Sequence, residues 1–522
     1  MPTTFEIFPP IGIARVGTSQ EFFIGPEPDT PLDLVRRDPS GNLRRQAARF
    51  RVYECDRDAT GMLIGAREIT ADAAHIRWSV HLVNRKAAAR EFGGGSTAAR
   101  RRNGASGNDT TDRNLIIDAG NQPIDTPGTR VVLDAGKFKN LSVPLGRLEM
   151  QSDARLCVVG GAGTSRSPSQ ARIRNFADND DWHDDVADGP VTAQITVGAN
   201  APVTAKPAWV VVAPPDFAPQ ITNIITMFDV LQDLAVQRGL RMAPETIFFD
   251  RHIRLILERA MSTQWVNRQA RLGYDDNPTG AHSSGGPGDF SDMFAMLGDP
   301  TQSNEPRQAI FRLLRNPETL TVPAPVPSSH MPRLNDDKNS GAVLPFTRLQ
   351  HRAFRRWAEG NFQRSDPAGA LPELLPDAIT RMALEACAGG AFFPGIEAGR
   401  IMTEASRFIA DDAFRLSPQA VRPGEITAQN AVPWQADFHQ CRWEESDNGR
   451  PKRLGWWPAQ RPDDVLKAAD ENPVPWARGL KDTGEAMVQH WHRLGFVKRV
   501  SQNPDVFLED ERDRTLAENG AV

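Results

Sequence analysis

The sequence predicts an α+β protein, with a β-rich N-terminal half and a helical and irregular C-terminal half that carries the site. Through residue 215, short apolar runs alternate with Gly, Pro, Asn and Asp punctuation, as strands and turns do. Near Pro219 the period changes. Ile221, Ile224, Ile225, Phe228, Leu231, Leu234 and Ala235 recur at helical spacing and form one apolar stripe. A chain of 522 residues exceeds one ordinary core. The change of period divides it into a β-rich domain, 1–215, and a helical, irregular catalytic region, 216–522.

The strand-like runs are EIFPPIGIARVG (6–17), RFRVYEC (49–55), HIRWSVHLVN (75–84), NLIIDAG (114–120), TRVVLDAG (129–136), RLCVVGG (155–161), TAQITVG (192–198) and PAWVVVAPP (207–215). Their spacing suits an antiparallel sandwich or barrel-like body. Residues 85–114, rich in Gly, Ser and Arg, read as a mobile surface loop. A second helix is expected over 245–272. From 277 to 343 the chain is Gly/Pro-rich and aperiodic, either a lid-like excursion or a packed irregular arm. Helical patterning returns at 347–359, 376–386 and 483–494, with Trp-rich, Pro-punctuated chain before the last.

Composition narrows the function classes. Lys plus Arg is 61 and Asp plus Glu is 66, a net charge of -5, which argues against a nucleic-acid or anionic-membrane binder. No apolar run reaches bilayer length, and MPTTFEIFPP has neither a basic n-region nor a long apolar h-region. The four cysteines, Cys55, Cys157, Cys387 and Cys441, have neither disulfide-framework nor zinc spacing. A cytoplasmic protein is expected.

The densest chemistry lies in PWQADFHQCRWEESDNGRPKRLGWWPAQRP, 433–462. Asp437 and Cys441 are four residues apart, so one face of a helix or turn presents both. A carboxylate beside a thiol can take up a proton and serve as a general base. Trp456 and Trp457 follow fifteen and sixteen residues after Cys441, and six of the eleven tryptophans lie between Trp434 and Trp491. This pattern suits a cofactor built from the protein's own side chains better than a metal site. Read alone, it is more often a capped turn beside a buried thiol, with indoles in a core.

Other motifs are weaker. In CAGGAFFPGIE (387–397), two glycines permit close backbone approach and Phe392 and Phe393 supply an apolar wall. Cys387 either lines a pocket there or is a buried structural thiol, and Glu397 can pair locally with Arg400. WHDDVADGPV (182–191) clusters Asp184, Asp185 and Asp188, and reads as an Asp-rich turn bonding its own backbone rather than a cation loop. VVGGAGTS (158–165) lacks GxGxxG spacing, so no bound FAD or NAD is expected. His439 can shuttle protons. His183, His490 and His492 read as structural, and neither GxSxG nor HExxH occurs.

The 433–462 segment resembles the C-terminal signature of the quinoprotein amino-acid oxidases, the lysine epsilon-oxidase and glycine oxidase family. FPPIGIARVG (8–17), FFIGPE (22–27), RRQAARFRVY (44–53), WHDDVADGPV, MPRL (331–334) and CAGGAFFPGIE resemble further family blocks, in order and from end to end. The resemblance implies a cysteine tryptophylquinone made from Cys441 and Trp456, with Trp457 as the alternative precursor. It implies that Asp437 acts in cofactor formation and as the base that removes the proton from the carbon bearing nitrogen. Cys387, Phe392, Phe393 and His439 are then pocket residues. The products are an aldehyde or keto acid, ammonia and hydrogen peroxide, with dioxygen as oxidant. An FAD-dependent maturation protein is the implied partner, and a homo-oligomer is left open, with no nucleic acid and no membrane as partner. The Cys-to-Trp interval is compact for the family. Two rivals remain at this level: an unmodified family member that serves as a binding scaffold, and an amine dehydrogenase with a protein electron acceptor.

Overall fold

The structure is a computed structural model. It describes residues 4–58, 61–91, 100–104, 112–267, 270–271, 291–318, 331, 334–335, 343–344, 346–367, 373–389, 397–398, 402, 404–440, 458–469, 471–502 and 505–516. The α+β expectation holds. Among the described residues, a fifteen-stranded sheet dominates the N-terminal half. Its main path runs Arg130–Val132, Arg147–Met150, Leu156–Val159, Arg45–Arg57, Ile11–Arg15, Ala208–Ala213, Ala187–Thr196, His75–Val80, Gln122–Ile124.

Neighbours along this path are antiparallel except at its centre, where Ala208–Ala213 pairs in parallel with Ile11–Arg15 (Val211 opposite Ile13). These two strands are apolar on consecutive residues because both faces are covered. Ala14, Val210 and Val212 point into the main core with Phe50, Trp78 and Leu148. Ile11, Ile13, Trp209 and Val211 point the other way, onto a second cluster with Met227, Leu231, Leu384, Cys387 and Phe414.

That second cluster is roofed by helices Met227–Gln237 and Leu375–Glu385. The first begins at Thr226, whose hydroxyl accepts from Asp229 N–H while the Asp229 carboxylate accepts from Thr226 N–H, a reciprocal capping box. Helix Arg348–Ala358 starts with the same device, from Thr347 and Gln350.

Several expectations are corrected. The 85–114 stretch is not wholly a surface loop: Lys86 and Arg102, in short 3-10 turns, are fully buried, whereas Arg90, Arg100 and Arg113 are exposed. The 245–272 helix is shorter, a π-helical turn at Phe249–Ile253 leading into Arg254–Ser262. The stretch expected to be aperiodic holds helices Ser291–Leu297 and Glu305–Arg312. A hairpin of Phe496–Gln502 with Asp505–Asp510 closes the C-terminal region. No helix among the described residues is long and apolar enough to cross a membrane.

Candidate active site

Residues 426–434 are held almost residue by residue, and each grip comes from the N-terminal half. The buried Asp188 carboxylate accepts from Ile426 N–H, from Thr427 N–H and hydroxyl (2.8 and 2.7 Å), and from Trp209 Nε1. Arg102 donates to the carbonyls of Ala428, Gln429 and Asn430, and pairs with Asp178 at 2.7 Å. Lys86 Nζ donates to Ala431 O at 2.9 Å, and Asn179 Nδ2 to Val432 O at 3.2 Å. Asp184 then accepts the Trp434 N–H at 3.1 Å.

Trp434–Gln440 is helical, and Pro433, which lacks an N–H to leave unbonded, stands just before it. Asp437 lies in the first turn, where the helix dipole favours a carboxylate, and is fully buried. Trp434 and Phe438, one turn apart, meet edge-to-face at 4.9 Å. Trp491 lies against Trp434 at 5.2 Å and Phe217 against Phe438 at 6.3 Å, with Trp476 completing the apolar surround. At the far end, Arg461 Nε donates to Phe438 O at 2.8 Å and satisfies a terminal carbonyl.

VVGGAGTS is a packing turn here. Gly163 has φ +73° and lies so close to Trp491 that a Cβ would overlap the indole. A Cβ on Gly161 would strike the Asp185 carboxylate, which accepts from Thr164 N–H. Ser165 donates to Gln435 Oε1 at 2.8 Å, tying the turn to the Asp437 helix.

The acids of WHDDVADGPV do not bond only their own turn, as the sequence suggested. Asp184 pairs with Lys86 at 2.9 Å, both fully buried. Burial pushes Asp185 up to about 7 and Asp188 up to about 6, and lowers Lys86, with Asp184 opposing that fall.

Cys387 sits elsewhere, after Leu375–Glu385, in the second cluster with Met402 and Ala398. Its carbonyl accepts from Met227 N–H, and Ala388 forms a bridge with Thr226. Glu397 pairs with Arg15 at 2.6 Å, a partner from the other half of the chain; Arg400 lies outside the described residues. Burial and the neighbouring Glu397 push the Cys387 thiol well up.

Asp437 and His439 thus share one helix, and His439 lies 3.8 Å from Asp482. Cys387 belongs to a different apolar cluster from Trp434 and Phe438; between the 426–434 segment and the chain after the Cys387 turn, the Asn430 amide donates to Glu397 O at 3.3 Å. Cys441, Trp456, Trp457, Phe392 and Phe393 lie outside the described residues. Sequence reasoning missed Lys86, Arg102, Arg15 and Arg461 as supports. Arg15 alone carried a signal, an arginine inside the apolar run GIARVG; Lys86, Arg102 and Arg461 lie in the polar contexts NRKAAA, RRRNG and AQRPDD.

Two family models match: L-lysine epsilon oxidase N-terminal over residues 8–212, and the L-lysine epsilon oxidase C-terminal domain over residues 325–463. The chain belongs to the L-lysine epsilon oxidase family. It is accordingly an oxidoreductase, an amino-acid oxidase acting on an amino group with oxygen as acceptor. A curated relative, L-lysine 6-oxidase of Marinomonas mediterranea, is 25% identical, covering 98% of this chain and 90% of that one. The crystal structure of the L-Lys epsilon-oxidase from Marinomonas mediterranea shares the fold, with a TM-score of 0.76 at 22% identity over 98% of this chain and 95% of that one. A second structure of that enzyme, its Schiff base intermediate with L-Lys, matches equally, at TM-score 0.76, 22% identity and 98% and 95% coverage. The family's C-terminal match takes in Cys387, Asp437, Cys441, Trp456 and Trp457.

Proposed function

We propose that the protein oxidatively deaminates a primary amine of an amino acid through a cysteine tryptophylquinone formed from Cys441 and Trp456, or Cys441 and Trp457. The observation that carries the reading is the Arg461–Phe438 hydrogen bond of 2.8 Å. Phe438 lies three residues before Cys441, and Arg461 lies four residues after Trp457. The chain entering and the chain leaving the Cys–Trp interval therefore meet at one point, which raises the effective concentration of thiol and indole for each other.

The described residues suit such a group, since Asp437 is a fully buried carboxylate four residues before Cys441 in the sequence, with aromatic neighbours on its helix. The quinone supplies an electrophilic carbonyl and a two-electron sink. Asp437 removes the proton from the carbon bearing nitrogen, and Trp434, Phe438 and Trp476 exclude water from that transfer. Cys387, Phe392, Phe393 and His439 form the substrate pocket. Amine, dioxygen and water give an aldehyde or keto acid, ammonia and hydrogen peroxide.

L-lysine is the first substrate to test, because the curated relative is named for it. Co-expression with an FAD-dependent maturation protein should yield a chain that has gained two oxygens and lost four hydrogens. Peptide mapping should recover Cys441 and one Trp of the doublet as one species. It should also absorb visible light, and release peroxide with L-lysine or glycine. Mature, active protein with a free Cys441 thiol and two ordinary indoles would overturn the proposal.

A further inference from the structure

Among the buried charges of the N-terminal half, one pair touches the backbone on which Asp437 stands. The Asp184 carboxylate receives four donors. Oδ2 takes Lys86 Nζ at 2.9 Å and Trp434 N–H at 3.1 Å, while Oδ1 takes Asn84 Nδ2 at 3.0 Å and Val186 N–H at 3.3 Å. Lys86 is fixed in turn, its own N–H donating to Asn84 Oδ1 and its carbonyl accepting from Arg102. Every partner but Trp434 N–H and Ala431 O comes from residues 84–186. The pair is therefore a rigid mount belonging to the sheet half, with one hydrogen bond to the helix and one to the chain that leads into it.

Asp184 holds the first N–H of Trp434–Gln440 and Asp437 lies three residues on, so a shift of that N–H moves Asp437 with it. Lys86 holds Ala431 O, three residues upstream of Trp434, so the pair grips the approach and the start of the helix together. We propose that Asp184, neutralised by Lys86, is a positioning residue for Asp437, setting where the base stands relative to the reacting carbon. The inference rests on the reading of Asp437 as the base. A misplacement of about 1 Å at a reacting group is worth about 10²-fold in rate.

The test uses mature full-length protein carrying Lys86→Met and Asp184→Asn together, which removes both charges and leaves an acceptor for the Trp434 N–H. A second variant, Lys86→Arg, keeps the charge but changes its shape. The substrate is whichever of L-lysine and glycine is oxidised faster, with and without deuterium on the carbon bearing the amine. In the double variant, kcat per mature site should fall about 10- to 100-fold with KM nearly unchanged, as expected of a lost transition-state contact. The deuterium isotope effect should rise, and amide exchange should quicken across Trp434–Gln440 but not in the central strands.

Wild-type kcat, isotope effect and exchange in the double variant would overturn the assignment. So would failure of both variants to give folded protein, because the pair would then be a folding element. Asp437→Asn is the control. If that variant keeps full turnover the base reading fails, and the exchange measurement still decides whether Asp184 fixes the helix.

Discussion

The Asp437 helix and the Cys387 turn are both moored to the N-terminal sheet through buried ion pairs, but in opposite ways. At the helix, both charges, Lys86 and Asp184, belong to the sheet half and grip backbone atoms of Ala431 and Trp434. At the turn the pair itself crosses between halves, Arg15 from the sheet and Glu397 from the C-terminal region. Arg15 also donates to the carbonyls of Pro214 and Ala386. A backbone grip leaves the side chains of the gripped segment free to serve chemistry. A side-chain pair across the interface makes each half incomplete without the other, and so contributes to docking of the halves more than to the placing of one group.

The sharpest way to break this comparison is Asp437→Asn, which keeps the shape of the side chain on its mount but removes the base. Turnover in matured protein should fall by about 10²–10⁴-fold, with the thermal midpoint little changed. Steady-state kinetics corrected for quinone content, beside a calorimetric scan, separate the two readouts. A large loss of stability with unaltered turnover would mean that the buried carboxylate is structural.

Next in size is Arg15→Met. Removing one partner leaves the Glu397 carboxylate buried without its 2.6 Å guanidinium, and uncompensated buried charges of this kind cost about 3–5 kcal/mol. Urea denaturation should show that loss. Arg15→Met with Glu397→Leu should recover most of it, since the isolated charge is gone. If the double variant is no better than the single, the hydrogen bonds to Pro214 O and Ala386 O carry the stabilisation instead of the ion pair.

How far the two moorings could be read in the sequence follows from how far apart their parts lie. The fold class was legible because it depends on local periodicity. Alternating apolar runs before residue 215 became strands, and the Leu231–Leu234–Ala235 stripe became the buried face of Met227–Gln237. The segment holding Asp437 was legible through its resemblance to a known signature. The mounts were not: Lys86 is 98 residues from Asp184, and Asp184 is 250 from Trp434. WHDDVADGPV looked like a self-bonded turn because several long-range partners of its acids are backbone N–H groups, of Thr164, Ile426, Thr427 and Trp434, which leave no trace in residue identity. The Phe496–Asp510 hairpin escaped for a related reason. Its charged residues, Lys498, Arg499 and Asp510, mask a strand alternation that shows once they pair across the ladder and at its end.

Asp185 sharpens the comparison on the helix side. Its carboxyl is buried against the 161–164 turn and pushed up to about 7, from 3.8. The folded chain keeps that proton to about pH 7, whereas the unfolded chain releases it near 4. Because the folded pKa is the higher one, the folded state binds more protons in this interval. The stability that protonation contributes is thus full below about pH 4 and is lost as pH rises through 7, by roughly a few kcal/mol. Asp185→Asn should flatten that slope in denaturation curves taken between the two limits. An unchanged slope would assign the pH dependence to other groups, beginning with Asp188, which is raised to about 6.

The smallest expected effect tests whether the two moorings are independent. Thr226 begins the helix over the Cys387 turn: its hydroxyl accepts from Asp229 N–H at 3.2 Å, and the adjacent Met227 N–H donates to Cys387 O at 3.0 Å. Thr226→Ala removes the cap, worth about 1 kcal/mol, and frees that end of the helix from its first-turn anchor. The Asp437 helix has its own supports in Asp184, Ser165–Gln435 and Arg461, and none of them passes through Thr226. The thermal midpoint should drop by only about 1 °C in a chain of this length, while kcat and its isotope effect stay at the wild-type values. A change in KM alone would tie the Cys387 turn to the substrate pocket. A fall in kcat as large as that expected for the Lys86/Asp184 variant would join the two sites into one cooperative unit, and the distinction between backbone and side-chain moorings would lose its functional meaning.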